Sequence, residues 1–192
     1  VEAAGVGRRL AAALVLAALL PGCSNQKSPD EQLILATRRN QPAEVDRLLA
    51  AGADPNADKL PGYEGRPALF HAATFGYVDI AGELIQRGAN VNYGADRGAL
   101  TPLLVAALNG PPAMVDLLLR SGAQVNVQAA GATPLTEATR KGDPEVIRLL
   151  LDAGADPGVP MSDGTAPVCY AKTHGYHDAA QLLANAGATG AC

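Results

Sequence analysis

The pair Gly-Ala occurs at Gly52-Ala53, Gly88-Ala89, Gly122-Ala123, Gly154-Ala155 and Gly187-Ala188, at intervals of 36, 34, 32 and 33 residues. Twelve residues before each pair stands Asn40, Gly76, Gly110, Gly142 or Gly175, and nine residues earlier still a short apolar helical pattern begins. Both inner spacings hold in all five copies, so every change of length falls between units. A chain with this pattern must fold as a row of like parts. Asn and Gly tolerate the left-handed backbone with which helices end, so each unit reads as two short helices with a stop after each. At 48% hydrophobic residues the chain is too apolar for a disordered polymer, and its 21 Gly and 14 Pro belong to turns.

The units carry helix-start chemistry. In Thr101-Pro102-Leu103 and Thr133-Pro134-Leu135 the hydroxyl can cap a free N–H, and Pro at the first helical position needs no donor. Ala36, Ala72-Ala73, Ala106-Ala107, Ala138 and Ala171 follow where helices must approach closely. Second helices open at Pro42, Pro112 and Pro144, and their apolar stripes run through Leu48-Leu49, Leu84-Ile85, Leu117 to Leu119, Leu149 to Leu151 and Leu182-Leu183. This pattern resembles the ankyrin repeat, over about 160 residues. The resemblance implies an all-α repeat solenoid of five stacked helix-turn-helix units with hairpin-like finger loops, at about 30–64, 65–98, 99–130, 131–163 and 164–192. Where the family has His after Leu, this chain has Ile34, Phe70, Leu104, Thr136 and Cys169, so apolar packing is expected to replace a hydrogen bond there.

The resemblance also implies a protein-binding surface made of the fingers and the first helices. The fingers span 15, 13, 11 and 12 residues, and the two longest hold Tyr63 and Tyr93 on Gly-rich loops, either as recognition residues or as cover for the stack edge. Carried over by position, the contact residues are Arg38, Arg39, Tyr63, Glu64, Arg66, Thr74, Phe75, Arg97, Leu108, Asn109, Arg140, Lys141, Asp163 and His174. Six are basic. Second helices carry Glu44, Asp46, Asp79, Glu83, Asp116, Glu145 and Asp178 instead. The expectation is a basic groove on an acidic body, steering a partner with an acidic surface, or solvated charge with no partner.

Residues 1–22 read as a signal peptide. Arg8 and Arg9 precede an uninterrupted apolar run of eleven residues, Leu10 to Leu20, which as a helix rises about 16 Å and is too short to cross a bilayer. Leu20-Pro21-Gly22-Cys23 resembles the lipobox of bacterial lipoproteins, which implies lipidation of Cys23 and an anchor in the cell envelope, with Ser24 favouring the outer membrane. Residues 23–29 then form a tether of about 25 Å at most, and 30–192 the repeat domain. Without residues 1–22 the chain has 13 basic and 18 acidic residues, a net charge of −5, which disfavours a nucleic-acid partner.

Cys169 and Cys192 remain, as a disulfide closing the last repeat, or as a buried thiol and a free one. Cys169, His174 and His177 could form part of a metal site, but Gly175 breaks the helix between the two His and no fourth ligand is apparent. With four Ser and no nucleophile elbow or phosphate loop, the chain reads as a monomeric binding module without a cofactor rather than an enzyme. The competing expectations are an enzyme or metal protein built on Cys169, His174 and His177, and a secreted ankyrin effector.

Overall fold

A computed structural model describes residues 27–58, 65–190 and 192. Residues 1–22, read above as a signal peptide, and Cys23, Tyr63 and Glu64 lie outside the described residues. Five helix pairs follow in order: α1 (Pro29–Arg38) with α2 (Pro42–Ala50), α3 (Ala68–Phe75) with α4 (Val78–Gln86), α5 (Pro102–Asn109) with α6 (Pro112–Arg120), α7 (Pro134–Lys141) with α8 (Pro144–Asp152), and α9 (Pro167–Thr173) with α10 (His177–Asn185). First helices pack on first helices and second on second, so two layers run the length of the stack. Among the described residues no helix is long and apolar enough to cross a membrane.

Helices of seven to ten residues are too short to be stable alone, so burial must hold them. Between stacked first helices, Ala36, Ala72, Ala73, Ala106, Ala107, Ala138 and Ala171 are at most 3% exposed, because only a methyl group fits. Leu48, Leu84, Leu118, Leu150 and Leu183 lie in the seam between second and first helices, in one apolar core continuous from Leu33 to Leu183. At about 25 cal/mol per Å², fully burying one such Leu contributes roughly 2 kcal/mol. Thr101 Oγ1 accepts from Leu104 N (3.2 Å) and Thr133 Oγ1 from Thr136 N (3.2 Å), capping α5 and α7. Asp143 caps α8 in the same way. The last pair presents His177, Asp178, Gln181 and Asn185 to solvent, as suits a terminal repeat.

Three expectations are corrected. Gly110 is not left-handed: its φ and ψ are −80° and 165°, whereas Asn40, Gly76, Gly142 and Gly175 all have positive φ. The cause is Pro111, whose ring forces the preceding residue into extended backbone. Gly is still required there, since a Cβ would stand 2.9 Å from the Ala106 carbonyl oxygen. Second, the hydrogen bond at the family's His position is not lost throughout. Thr136 Oγ1 accepts from Thr133 N (2.8 Å), completing a reciprocal cap, while Ile34, Phe70 and Leu104 are buried apolar groups. Third, the fingers are not uniformly hairpin-like. Ala129 and Ala132 exchange two 2.9 Å backbone hydrogen bonds and Met161 N donates to Thr165 O (2.8 Å), but the longer second finger turns through a 3₁₀ segment at Ala95–Arg97.

The fingers are tied together by a device the spacing analysis overlooked. Asn56 accepts from Asn90 N (2.7 Å) and donates to Gly88 O (3.0 Å). Asn92 makes the same pair of bonds to Gln124 N (2.8 Å) and Gly122 O (3.0 Å), and Asn126 to Asp156 N (2.9 Å) and Gly154 O (3.1 Å). Each Asn stands four residues after the Gly of its Gly-Ala pair, a recurrence visible in the sequence. The fourth position in this series is Gly158, so the joint between the last two repeats has no such clamp. The last repeat carries a closure of its own: Cys169, buried in α9, is bonded to Cys192 (S–S 2.08 Å, Cα–Cα 5.2 Å).

Candidate functional site

The exposed edge of the first helices and the fingers on that side form the candidate surface. Of the residues expected there, Arg39, Phe75, Arg97, Asn109, Arg140, Lys141, Asp163 and His174 are exposed, and Arg38, Arg66, Thr74 and Leu108 are partly so. Phe75 is 48% exposed and stacks on Tyr77 (5.6 Å between ring centres), leaving one aromatic face to solvent. Thr74 Oγ1 donates back to Phe70 O (2.8 Å), and His174 stacks on Tyr170 at 3.9 Å. Asp163 accepts from Thr165 N (2.9 Å), a hydrogen bond that holds its carboxyl below the usual range.

Two parts of the charge pattern depart from expectation. Arg140 is ion-paired with Glu137, which is only 8% exposed, so its charge is largely committed. Lys141 sits near Gly110 O (3.5 Å) and Asp143 (4.0 Å). The second helices α2, α4 and α6 are also less acidic than their carboxylates alone imply, because Arg47, Arg87 and Arg120 stand three or four residues after Glu44, Glu83 and Asp116. Glu44 pairs with Arg47 (2.6 Å), Asp116 with Arg120 (2.6 Å), and Arg87 with both Glu83 and Asp46 (3.0 Å each). All these pairs are solvent-accessible and contribute little stability.

Tyr93, read from the sequence either as a recognition residue or as cover for the stack edge, is turned into the joint between the first two fingers. Its hydroxyl hydrogen-bonds Asp58 Oδ2 (3.0 Å) and lies against Gly65 O, and partial burial together with Asp58 raises its phenol above the ordinary value. A ring long enough to cross the joint loses more water-exposed surface by folding inward than by projecting. Around it lies a half-open pocket of about 440 Å³, lined by Asp58, Gly65, Arg66, Phe70, Tyr93, Gly94, Arg97, Ala99 and Leu100. The Arg66 guanidinium lies over the Phe70 ring, 4.7 Å from its centre. Sequence reasoning missed Asp58, Phe70, Ala99 and Leu100 as residues that line this pocket. Only the length of these two fingers hinted that something extra is built there.

Beside the pocket, His71 is 8% exposed with Nε2 buried and unpartnered. Burial, with the positive charges of Arg38 and Arg66, pushes its pKa down to about 4, against a weaker opposing hydrogen bond to the Arg66 backbone. In the unfolded chain the ring takes up its proton near 6.5. The stability associated with neutral His71 is therefore complete above about pH 6.5 and declines as the pH falls toward 4. A loss on the order of 2 kcal/mol across that window is expected in denaturant titrations, and His71→Leu should remove this part of the slope. An unchanged slope in the variant would show that other groups set it.

Cys169, spent in the disulfide, is not free to join His174 and His177 as a ligand set. His174 ends α9 with Nδ1 against Tyr170 O (2.9 Å), and His177 begins α10. Among the described residues no group of three His, Cys, Asp or Glu is placed to hold a metal ion.

A two-layer stack of helix pairs with a helical edge, fingers and scattered polar groups defines a binding solenoid. The family model for ankyrin repeats matches residues 33–129 and 127–190, and the chain belongs to the ankyrin-repeat family. It is 39% identical over 77 residues to NF-kappa-B inhibitor delta of Mus musculus, covering 40% of this chain and 23% of that protein. It is 33% identical over 95 residues to a B-cell lymphoma 3 protein homolog of Mus musculus (49% and 21%), and 38% over 84 residues to the E3 ubiquitin-protein ligase KEG of Arabidopsis thaliana (44% and 5%). The matched segments thus span less than a quarter of each of these relatives. Ankyrin-repeat proteins are in general protein-interaction modules rather than enzymes.

Proposed function

We propose that this chain is a lipid-anchored binding module of the bacterial envelope, most suited to the outer membrane, which acts as a monomeric adaptor, inhibitor or immunity-type binder and carries out no catalysis. Its exposed first-helix edge and fingers hold a protein partner with an acidic surface. The observation that carries the reading is the solvent-exposed series Arg39, Arg97 and Lys141 along that edge, next to Phe75 and Asn109. Cations there raise the encounter rate with a negatively charged surface, and the apolar face of Phe75 supplies contact area. Support for an oxidising compartment comes from the Cys169–Cys192 bridge. The apolar run ahead of Cys23 supports the anchor.

The test is crosslinking in the native envelope, identification of the crosslinked protein, and measurement of its association with wild type and with Arg39→Glu, Arg97→Glu, Lys141→Glu. The triple variant should associate about tenfold more slowly at low salt and with a flatter salt dependence. Unchanged rates at every salt concentration would remove this edge as the interface. Intact-mass measurement on the amino-terminal fragment checks the anchor: an unacylated Cys23 in envelope-derived protein rejects it.

A further inference from the structure

The pocket between the first two fingers has a chemistry of its own. Its apolar surface comes from Ala99 and Leu100, with the buried Phe70 ring beneath them, and Leu100 is 37% exposed, one of the few large apolar groups on the described surface. Its cations are Arg66, held flat over Phe70, and Arg97, exposed on the 3₁₀ turn with no carboxylate among the described residues in ion-pair range. Among the described residues its carboxylate is Asp58, engaged by the Tyr93 hydroxyl. Two loop positions are glycine with positive φ. A Cβ at Gly94 would stand 2.8 Å from Leu100 O, and one at Gly65 would contact Asp58 and Tyr93. Gly94 thus lets the second finger fold tightly on itself beside the pocket, and the Tyr93 hydroxyl spans the joint to Asp58.

We infer that this pocket is the specificity pocket of the module, receiving from the partner polypeptide an apolar side chain adjacent to a carboxylate. The assignment rests on the protein-binding reading above. Charge complementarity selects the occupant. A cationic side chain would enter against the Arg97 guanidinium, whereas a carboxylate can bridge toward it with charge-assisted hydrogen bonds. A purely polar acidic group would leave Leu100 and Ala99 in water, and an apolar neighbour covers them. The volume suits one such side chain plus a carboxylate, at the small end of the range of ligand sites. An anchor of this kind, central and partly desolvated, is where binding energy concentrates.

The test uses the full ¹⁵N-labelled chain in mild detergent and the end-blocked dipeptide leucyl-glutamate as probe, with leucyl-glutamine and glycyl-glutamate as controls. Leucyl-glutamate should shift the amides of Gly65, Gly94, Ala99 and Leu100 saturably, with millimolar affinity. Each control should bind at least about tenfold more weakly, and so should leucyl-glutamate to Arg97→Gln, while Arg97→Lys restores part of the affinity. Equal binding of leucyl-glutamine, unchanged binding to Arg97→Gln, or shifts only elsewhere overturns the assignment. Crosslinked partner in the envelope separates the two ideas. Partner capture that is indifferent to Arg97→Gln, with no dipeptide shifts, overturns the pocket and leaves the binding module standing. Dipeptide binding that meets these criteria, without any captured partner, supports the pocket and counts against the module.

Discussion

Leu118→Asp is expected to unfold the whole array, with far-ultraviolet helicity falling to less than about half of the wild-type value at 25 °C. Leu118 is 0% exposed in α6, the outer helix of the middle repeat, and its neighbours in the core are apolar. An unpaired carboxylate there costs about 4 kcal/mol or more, a large share of a domain's net stability. Position matters as much as chemistry. In a stack each repeat is stabilised by its neighbours, and losing the third leaves two repeats on either side, below the roughly three an array needs. Leu183→Asp in α10, equally buried, should unfold only the last repeat and keep most of the helicity. Leu118→Ala, which adds no charge, should lower stability by about 2 to 5 kcal/mol with the fold retained. Native helicity and melting in Leu118→Asp would refute the stacking described here.

Removing the Cys169–Cys192 bridge, by Cys169→Ser with Cys192→Ser or by reduction, is expected to free the last repeat. The bridge closes a loop of sequence separation 23, for which chain entropy gives about 3 kcal/mol. The bridge lies within the last repeat, whose joint to the fourth rests on the packing of α9 on α7 and of α10 on α8. Gly158 stands where Asn56, Asn92 and Asn126 clamp the earlier fingers, and Ala166, just before α9, supplies no side-chain cap. Hydrogen exchange should therefore show protection lost across α9 and α10, with α1 to α6 unaffected. Uniform loss across all repeats, or none, would mean that the bridge does not act locally. A serine pair also separates this effect from the pocket, which lies at the opposite end of the stack.

How much was legible in the chain follows from the reach of each signal. The repeat period, the helix starts at Thr101 and Thr133 and the Leu stripes could be read directly, because capping and amphipathic spacing act within one turn or two of backbone. Gly110 shows the limit of that reading: its position in the unit was right and its conformation wrong, because the following proline overrode the pattern. The basic edge was legible as a set of residues, but Arg140 turned out to be committed to Glu137, three residues away on the same helix. On the second helices, attention to acidic positions alone passed over Arg47, Arg87 and Arg120, although their spacing of three or four was available in the sequence.

By itself the sequence determined that five like helix pairs must stack, since no single pair can cover its own apolar side and the recurring Ala and Leu positions leave one way to do so. Tertiary structure alone decided where Tyr93 turns, which fingers enclose a pocket and which cations stay exposed. Those outcomes depend on the lateral distance between neighbouring units, set by two fingers of unequal length packing against each other, and no local periodicity encodes that distance.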